Sequence, residues 1–201
     1  MTRHWTASRQ CEDAVLLVNT VLAETSRTSH SPTLVLTRRA KRTLRHSSTQ
    51  RAHALALASM VSACEDYCQA ALTELVERGL AANVTGERLW DAVIDSTFTS
   101  WTGHLQLWGR WGVEVLKSDE YKEFQGFIAA RNSAVHGLGE LTRIQRRKSK
   151  VQDEIRSAGL KISGTRVVID EVGLGLCASA AIKFVTYVDR ELDALLQPSS
   201  G

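Results

Sequence analysis

The sequence predicts an all-α fold, an up-and-down helical bundle with one small β-hairpin near residues 161–170. Three observations predict it. Apolar residues recur at steps of three and four over most of the 201 residues. Only two prolines interrupt the chain, and proline is what helix interiors exclude. One short segment, Lys161–Asp170 (KISGTRVVID), instead gathers β-branched residues on either side of Ser163-Gly164, which is a hairpin signal.

Each element has its own warrant. Residues 6–26 carry Val15, Val18 and Leu22 at helical spacing, and Leu16, Leu17 and Val21 widen the apolar face. A broadly buried helix is expected there. Residues 28–48 form a polar, basic connection, broken by Pro32 and several Ser/Thr, with Leu34-Val35-Leu36 as a short apolar anchor. Residues 49–79 make the strongest helix: Leu57, Val61, Cys64, Cys68, Leu72 and Leu75 share one stripe. Alanines between them favour helix and permit close approach, and Gly79 is expected as the C-terminal cap. Residues 87–111 read as one or two tryptophan-rich helices around Trp90, Trp101, Leu105 and Trp108. Ser118 or Asp119 caps a helix that ends at Val135 or His136, before Gly137. Residues 141–158 are a basic helical stretch, and residues 171–196 a last helix with Cys177, Ala181, Phe184, Val188, Leu192 and Leu195 on one stripe. Residues 198–201 read as a loose tail. There is no internal repeat, so residues 1–201 are read as a single domain, long enough to bury a core without staples.

Composition narrows the function classes. A hydrophobic fraction of 43% with 23% charged residues excludes wholesale disorder. Residues 1–5 lack the apolar run of a secretion signal, and no uninterrupted apolar stretch reaches bilayer length. The expectation is a soluble, cytoplasmic chain with no membrane contact. The four cysteines lack CxxC-type pairing, which argues against structural zinc and against a disulfide framework. Neither a metal nor another cofactor is expected. The net charge of +3 names no partner by itself. Its distribution is more informative. Six Lys/Arg and no acid lie from Arg38 to Arg51, and five Lys/Arg and no acid from Arg143 to Lys150. Arg38, Arg39, Lys41 and Arg42 in the first run are candidate nucleic-acid contacts, as are Arg143, Arg146, Arg147 and Lys148 in the second. Two solvated faces would read the same way.

The helix over 119–136 carries the one feature that asks for chemistry. At about 100° per residue, Tyr121, Phe124, Phe127, Ile128 and Val135 share an arc, and Arg131 falls inside it. A guanidinium among hydrophobes is costly unless a carboxylate, a partner subunit or an anion faces it. Asn132 and His136 border the same arc, one helical turn apart.

The segment Phe127-Ile-Ala-Ala-Arg131-Asn132-Ser-Ala-Val-His136 resembles the Arg-x4-6-His signature of the HEPN superfamily, in which a polar residue often follows the arginine. Residues 60–67 (MVSACEDY) are similar to that family's earlier core helix, with Glu65 where an acid is common. The basic stretch, hairpin and terminal helix that follow resemble the bacterial RiboL-PSP-HEPN branch, so the likeness covers roughly residues 50–196. Arg39 and His46 fit the looser spacing too, but in the basic connection rather than at the end of an amphipathic helix.

The resemblance implies a metal-independent endoribonuclease that acts as a homodimer, often a toxin or phage-defence effector. It implies RNA as substrate, and an antitoxin or neighbouring defence protein as a further partner. His136 would be general acid or base, Arg131 would hold the phosphate, Asn132 would orient one or the other, and Glu65 would poise Arg131. Arg131 and His136 lie five positions apart, about 140° around a helix, so a second copy would complete the site. Other readings stay open. His136 also suits a plain helix C-terminus, and Arg131 suits a structural pair with Glu65 or Asp66. A silent HEPN module that binds nucleic acid or a protein is the alternative function, and a ligand-free helical scaffold a third. Trp101 is expected in the core, Trp111 is open, His53 is a surface or packing residue, and His46 is solvated or phosphate-facing.

Overall fold

The computed structural model describes residues 6–28, 48–80 and 101–196. Helix α1 spans Thr6–Thr28, α2 Ser48–Leu80, α3 Trp101–Arg110 and α4 Asp119–His136. After them come α5 (Arg143–Arg146), α6 (Ser149–Ser157) and α7 (Glu171–Leu196), and one 3-10 turn at Val115–Lys117 leads into α4. Strands β1 (Lys161–Ser163) and β2 (Arg166–Val168) pair antiparallel, with Ile162 opposite Val167. Gly164, at φ +63°, supplies the left-handed residue that the hairpin turn needs. The protein is an all-α bundle with a small β-hairpin.

Helices α1, α2 and α7 pack against one another, and α4 lies against both α2 and α7. Three contacts set the alignment of α2 with α7. Ring nitrogen Nδ1 of His53 lies 2.9 Å from the Ile169 carbonyl. The Cys64 thiol reaches the Ala181 carbonyl at 3.9 Å. The Tyr67 hydroxyl donates to Asp189 Oδ1 at 2.9 Å. Both members of each pair advance together along the chain, so the two helices run parallel. The core holds Trp108, Phe124, Phe127, Phe184, Leu57 and Met60, all fully buried. Phe124 stacks on Phe184 with centroids 5.1 Å apart, and buried Trp101 meets Phe124 edge-on at 6.2 Å. Trp111 is partly buried against the same core.

Several elements differ from the expectation. The helical stretch 141–158 resolves into two helices. Thr142 and Gln145 form a reciprocal capping box that starts α5 afresh, and Lys148 breaks the run with extended backbone. Helix α2 continues through Gly79 to Leu80, so Gly79 is not its cap. Of the two readings of His53, packing holds: it is buried and bonded across the bundle. Its Nδ1 faces a carbonyl and therefore carries the proton, while buried Nε2 has no partner among the described residues. An 18-residue window of Glu171–Leu195 has mean hydropathy 1.4, apolar and long enough to cross a membrane by composition alone, although Lys183 interrupts it, so the expectation of no uninterrupted apolar stretch of that length stands. Its place in the bundle accounts for the composition: Cys177, Ala181, Phe184, Val185 and Val188 are all fully buried. Trp90, His46 and the tail lie outside the described residues.

Candidate functional site

Local chemistry fixes α4 at both ends. The Ser118 hydroxyl accepts the Tyr121 N–H at 3.0 Å, and Asp119 and Glu120 occupy the first turn, where the helix dipole favours anions. At the other end, the Gly137 N–H donates to the Ser133 carbonyl at 3.0 Å. A Cβ on Gly137 would sit 1.8 Å from the Glu140 carbonyl oxygen. Glycine is required there for space, not for an unusual φ.

Between these ends, Phe124, Phe127, Ile128, Ala129 and Ala130 are buried, and Arg131 follows at the margin of that face. Its side chain is 23% exposed, and that of Glu65 22%. Arg131 Nη2 lies 3.5 Å from Glu65 Oε2, and Nη1 donates to Asn132 Oδ1 at 3.3 Å. Buried Nε has no partner among the described residues. The pair is therefore long and incomplete, and the guanidinium keeps donor capacity. On Glu65, burial raises the carboxyl pKa above its ordinary value; Arg131 opposes this, and Asp66 adds to it. Asp66 itself faces the groove between α1 and α2, beside Gln10, Gln69 and Ala70. Of the two acids, Glu65 is the one that meets Arg131.

His136 closes the last turn of α4 and is exposed. Asn132, one turn earlier, is half-buried and points its amide oxygen at Arg131. Arg131 and Asn132 are thus in contact, and His136 stands beyond them at the open end of the helix.

Arg143, Arg146, Arg147 and Lys148 are all exposed. They do not hang from a free loop. Gln145, only 7% exposed, ties α5 to α4. Its Oε1 accepts from the Ser133 hydroxyl at 3.0 Å and from the Thr142 N–H at 2.9 Å. Its Nε2 donates to the Ala129 carbonyl at 2.7 Å. Gln152 on α6 then donates to the Arg146 carbonyl at 3.3 Å. The basic run is so fixed to the two turns of α4 that carry Arg131 and His136. Sequence reasoning passed over Gln145, although Thr142-Arg-Ile-Gln145 is a capping-box spacing. Arg38, Arg39, Lys41 and Arg42 lie outside the described residues.

Among the described residues, no group of three or more His, Cys, Asp or Glu is placed to hold a metal ion. Cys11, Cys64, Cys68 and Cys177 are free and buried. Burial pushes the Cys11 thiol up to about 12 and the other three up as well, so they pack as hydrophobes rather than react.

No family model, curated protein or solved structure matches the chain.

Proposed function

We propose that the chain is a metal-independent endoribonuclease of the HEPN type, acting as a homodimer. One observation carries the reading. A half-buried guanidinium, held at 3.5 Å by Glu65 and at 3.3 Å by Asn132 and with Nε unpartnered among the described residues, stands on the helix that ends in an exposed imidazole. A guanidinium with an unused donor can pair with a phosphate oxygen. The rigid basic surface beside it suits a polyanion.

The chemistry assigns roles by atom. The imidazole of His136 takes the proton from an RNA 2′-hydroxyl, and the 2′-oxygen attacks the adjacent phosphorus. The 5′-oxygen leaves and receives a proton, giving a 2′,3′-cyclic phosphate and a 5′-hydroxyl. Arg131 stabilises the charge that builds on the phosphate oxygens. Asn132 positions the guanidinium through its Oδ1, and Glu65 holds it in the free protein. Arg131 and His136 diverge by about 140° around α4, so a two-fold axis that joins two α4 ends would supply the complementary groups. A toxin or phage-defence role, with an antitoxin or neighbouring defence protein as partner, follows from the family resemblance.

The exposed His136 has no hydrogen-bond partner among the described residues, and this favours a second reading, a silent module that binds RNA without cutting it. One comparison separates them: wild type against His136→Ala on mixed RNA in the presence of EDTA. Cleavage by wild type alone supports the enzyme. Equal cleavage by both removes the catalytic role of His136, and binding without cleavage by either favours the silent module. Solution mass tests the dimer.

A further inference from the structure

The turn from α4 into the basic surface contains a residue that does not belong there on stability grounds. Leu138 has φ +52°, the left-handed region that leucine rarely adopts and that costs energy. It is 81% exposed, so no packing compensates the strain. The surrounding backbone imposes the conformation. The Gly137 and Gly139 N–H groups both donate to the Ser133 carbonyl, at 3.0 and 2.9 Å, and the Glu140 N–H donates to the Gly137 carbonyl at 2.9 Å. The Gly139 carbonyl in turn accepts from Val167 on β2 at 3.1 Å. Glycine or asparagine would suit this turn without strain. The chain instead holds an isobutyl group out in water, two residues past His136.

Past Glu140, the chain that follows is cationic. Arg143, Arg146, Arg147 and Lys148 are exposed, and from Leu141 to Gln152 there is no acid. Ile144 is 67% exposed and Val135 47%, so Leu138 is one of three exposed apolar side chains between residues 135 and 144. The nearby acid, Glu140, accepts a hydrogen bond from the Thr165 hydroxyl at 3.3 Å.

We propose that Leu138 is a wedge that packs against an unpaired base of single-stranded RNA, whose phosphates lie on the α5 arginines. An apolar tip at the start of the turn that leads into a cationic helix fits a chain of flat rings and phosphates, and apolar wedges in nucleic-acid-binding proteins work this way. The inference rests on RNA being the ligand of the site, but not on cleavage.

The test uses the wild-type protein and a fluorescent 2′-O-methyl oligouridylate, which has no free 2′-hydroxyl to attack, read by anisotropy. Leu138→Gly and Leu138→Asn are expected to weaken binding about tenfold, as the loss of one buried apolar side chain implies, and Leu138→Met to retain it. The melting temperatures of the glycine and asparagine variants should not fall, and the salt dependence of binding should keep its slope, because no phosphate contact is lost. Unchanged affinity in both variants overturns the wedge. So does a fall in stability that parallels the fall in affinity. Loss of self-association with RNA affinity intact would assign the tip to a second copy of the chain instead. A wild type without affinity for the oligonucleotide sinks the wedge and the RNA reading together, whereas binding by a wild type that cleaves no RNA sinks only the catalytic step.

Discussion

The aromatic core and the far end of α4 are built by opposite rules. Around Phe124, Phe184 and Trp101 the packing follows apolar preference, although the buried Trp108 indole nitrogen has no hydrogen-bond partner among the described residues. The rings stack or meet edge-on, the helices around them carry apolar stripes, and the cysteines fill gaps as small hydrophobes. At the α4 end, two choices go against local preference. Arg131 sits at the margin of a buried face with an unpartnered Nε among the described residues. Leu138 takes a backbone conformation suited to glycine. Where local consistency breaks down in a cluster, selection for something other than stability is the economical explanation.

Substitutions should sharpen this contrast. The largest stability effect is expected in the core. Phe184→Ala removes the ring that Phe124, Trp101 and Tyr121 all meet, and should cost about 3–5 kcal/mol, read by urea denaturation. Arg131→Ala should do the reverse: cleavage falls by at least about a hundredfold, while the denaturation midpoint barely moves. A large loss of stability instead would mark Arg131 as a structural ion-pair residue and erase the contrast.

Gln145→Leu falls between these cases. It removes the Gln145 bonds to the Ser133 hydroxyl, the Ala129 carbonyl and the Thr142 N–H and leaves the first two only their mutual side-chain bond, at 3.3 Å, which should cost about 1–3 kcal/mol. RNA affinity should fall as well, because α5 loses its anchor; a variant with lower stability but unchanged affinity would separate the anchor from binding.

Glu65→Gln should have a smaller, pH-dependent effect. The folded protein raises the Glu65 carboxyl pKa, so folding favours its protonated form. That contribution is present in acid, below the unfolded value of about 4.3, and is lost as pH rises through the raised folded value. Relative to the glutamine variant, wild type should therefore lose stability from acid toward neutral pH. A wild type that gains on the variant over that range would reverse the assignment. The smallest effect concerns the thiols. With burial holding Cys11, Cys64, Cys68 and Cys177 protonated, the native protein should leave them unreactive toward a thiol reagent at neutral pH, and denaturant should release them.

The same contrast explains what was legible in the sequence. Stripes such as Leu57–Val61–Cys64–Cys68 and Cys177–Ala181–Phe184 show burial directly, because a helix repeats and the core selects for the repeat. The hairpin was readable from one glycine between β-branched residues. Glu65 and Asp66 could not be told apart, since neighbours on a helix differ only by about 100° in direction and which one meets Arg131 depends on where α4 crosses. The His53 contact was unreadable because its partner is a backbone carbonyl 116 positions away, and carbonyls leave no trace in side-chain pattern. Leu138 was missed because nothing about leucine signals a left-handed turn. Gln145 was in view but overshadowed by the arginines on either side.

That amide has one more consequence. A neutral side chain pins a strongly cationic surface, through contacts that ionic strength does not screen. Raising the salt concentration should therefore loosen any polyanion from the arginines without tilting the plate they stand on, so attraction and aim are governed by separate parts of the molecule.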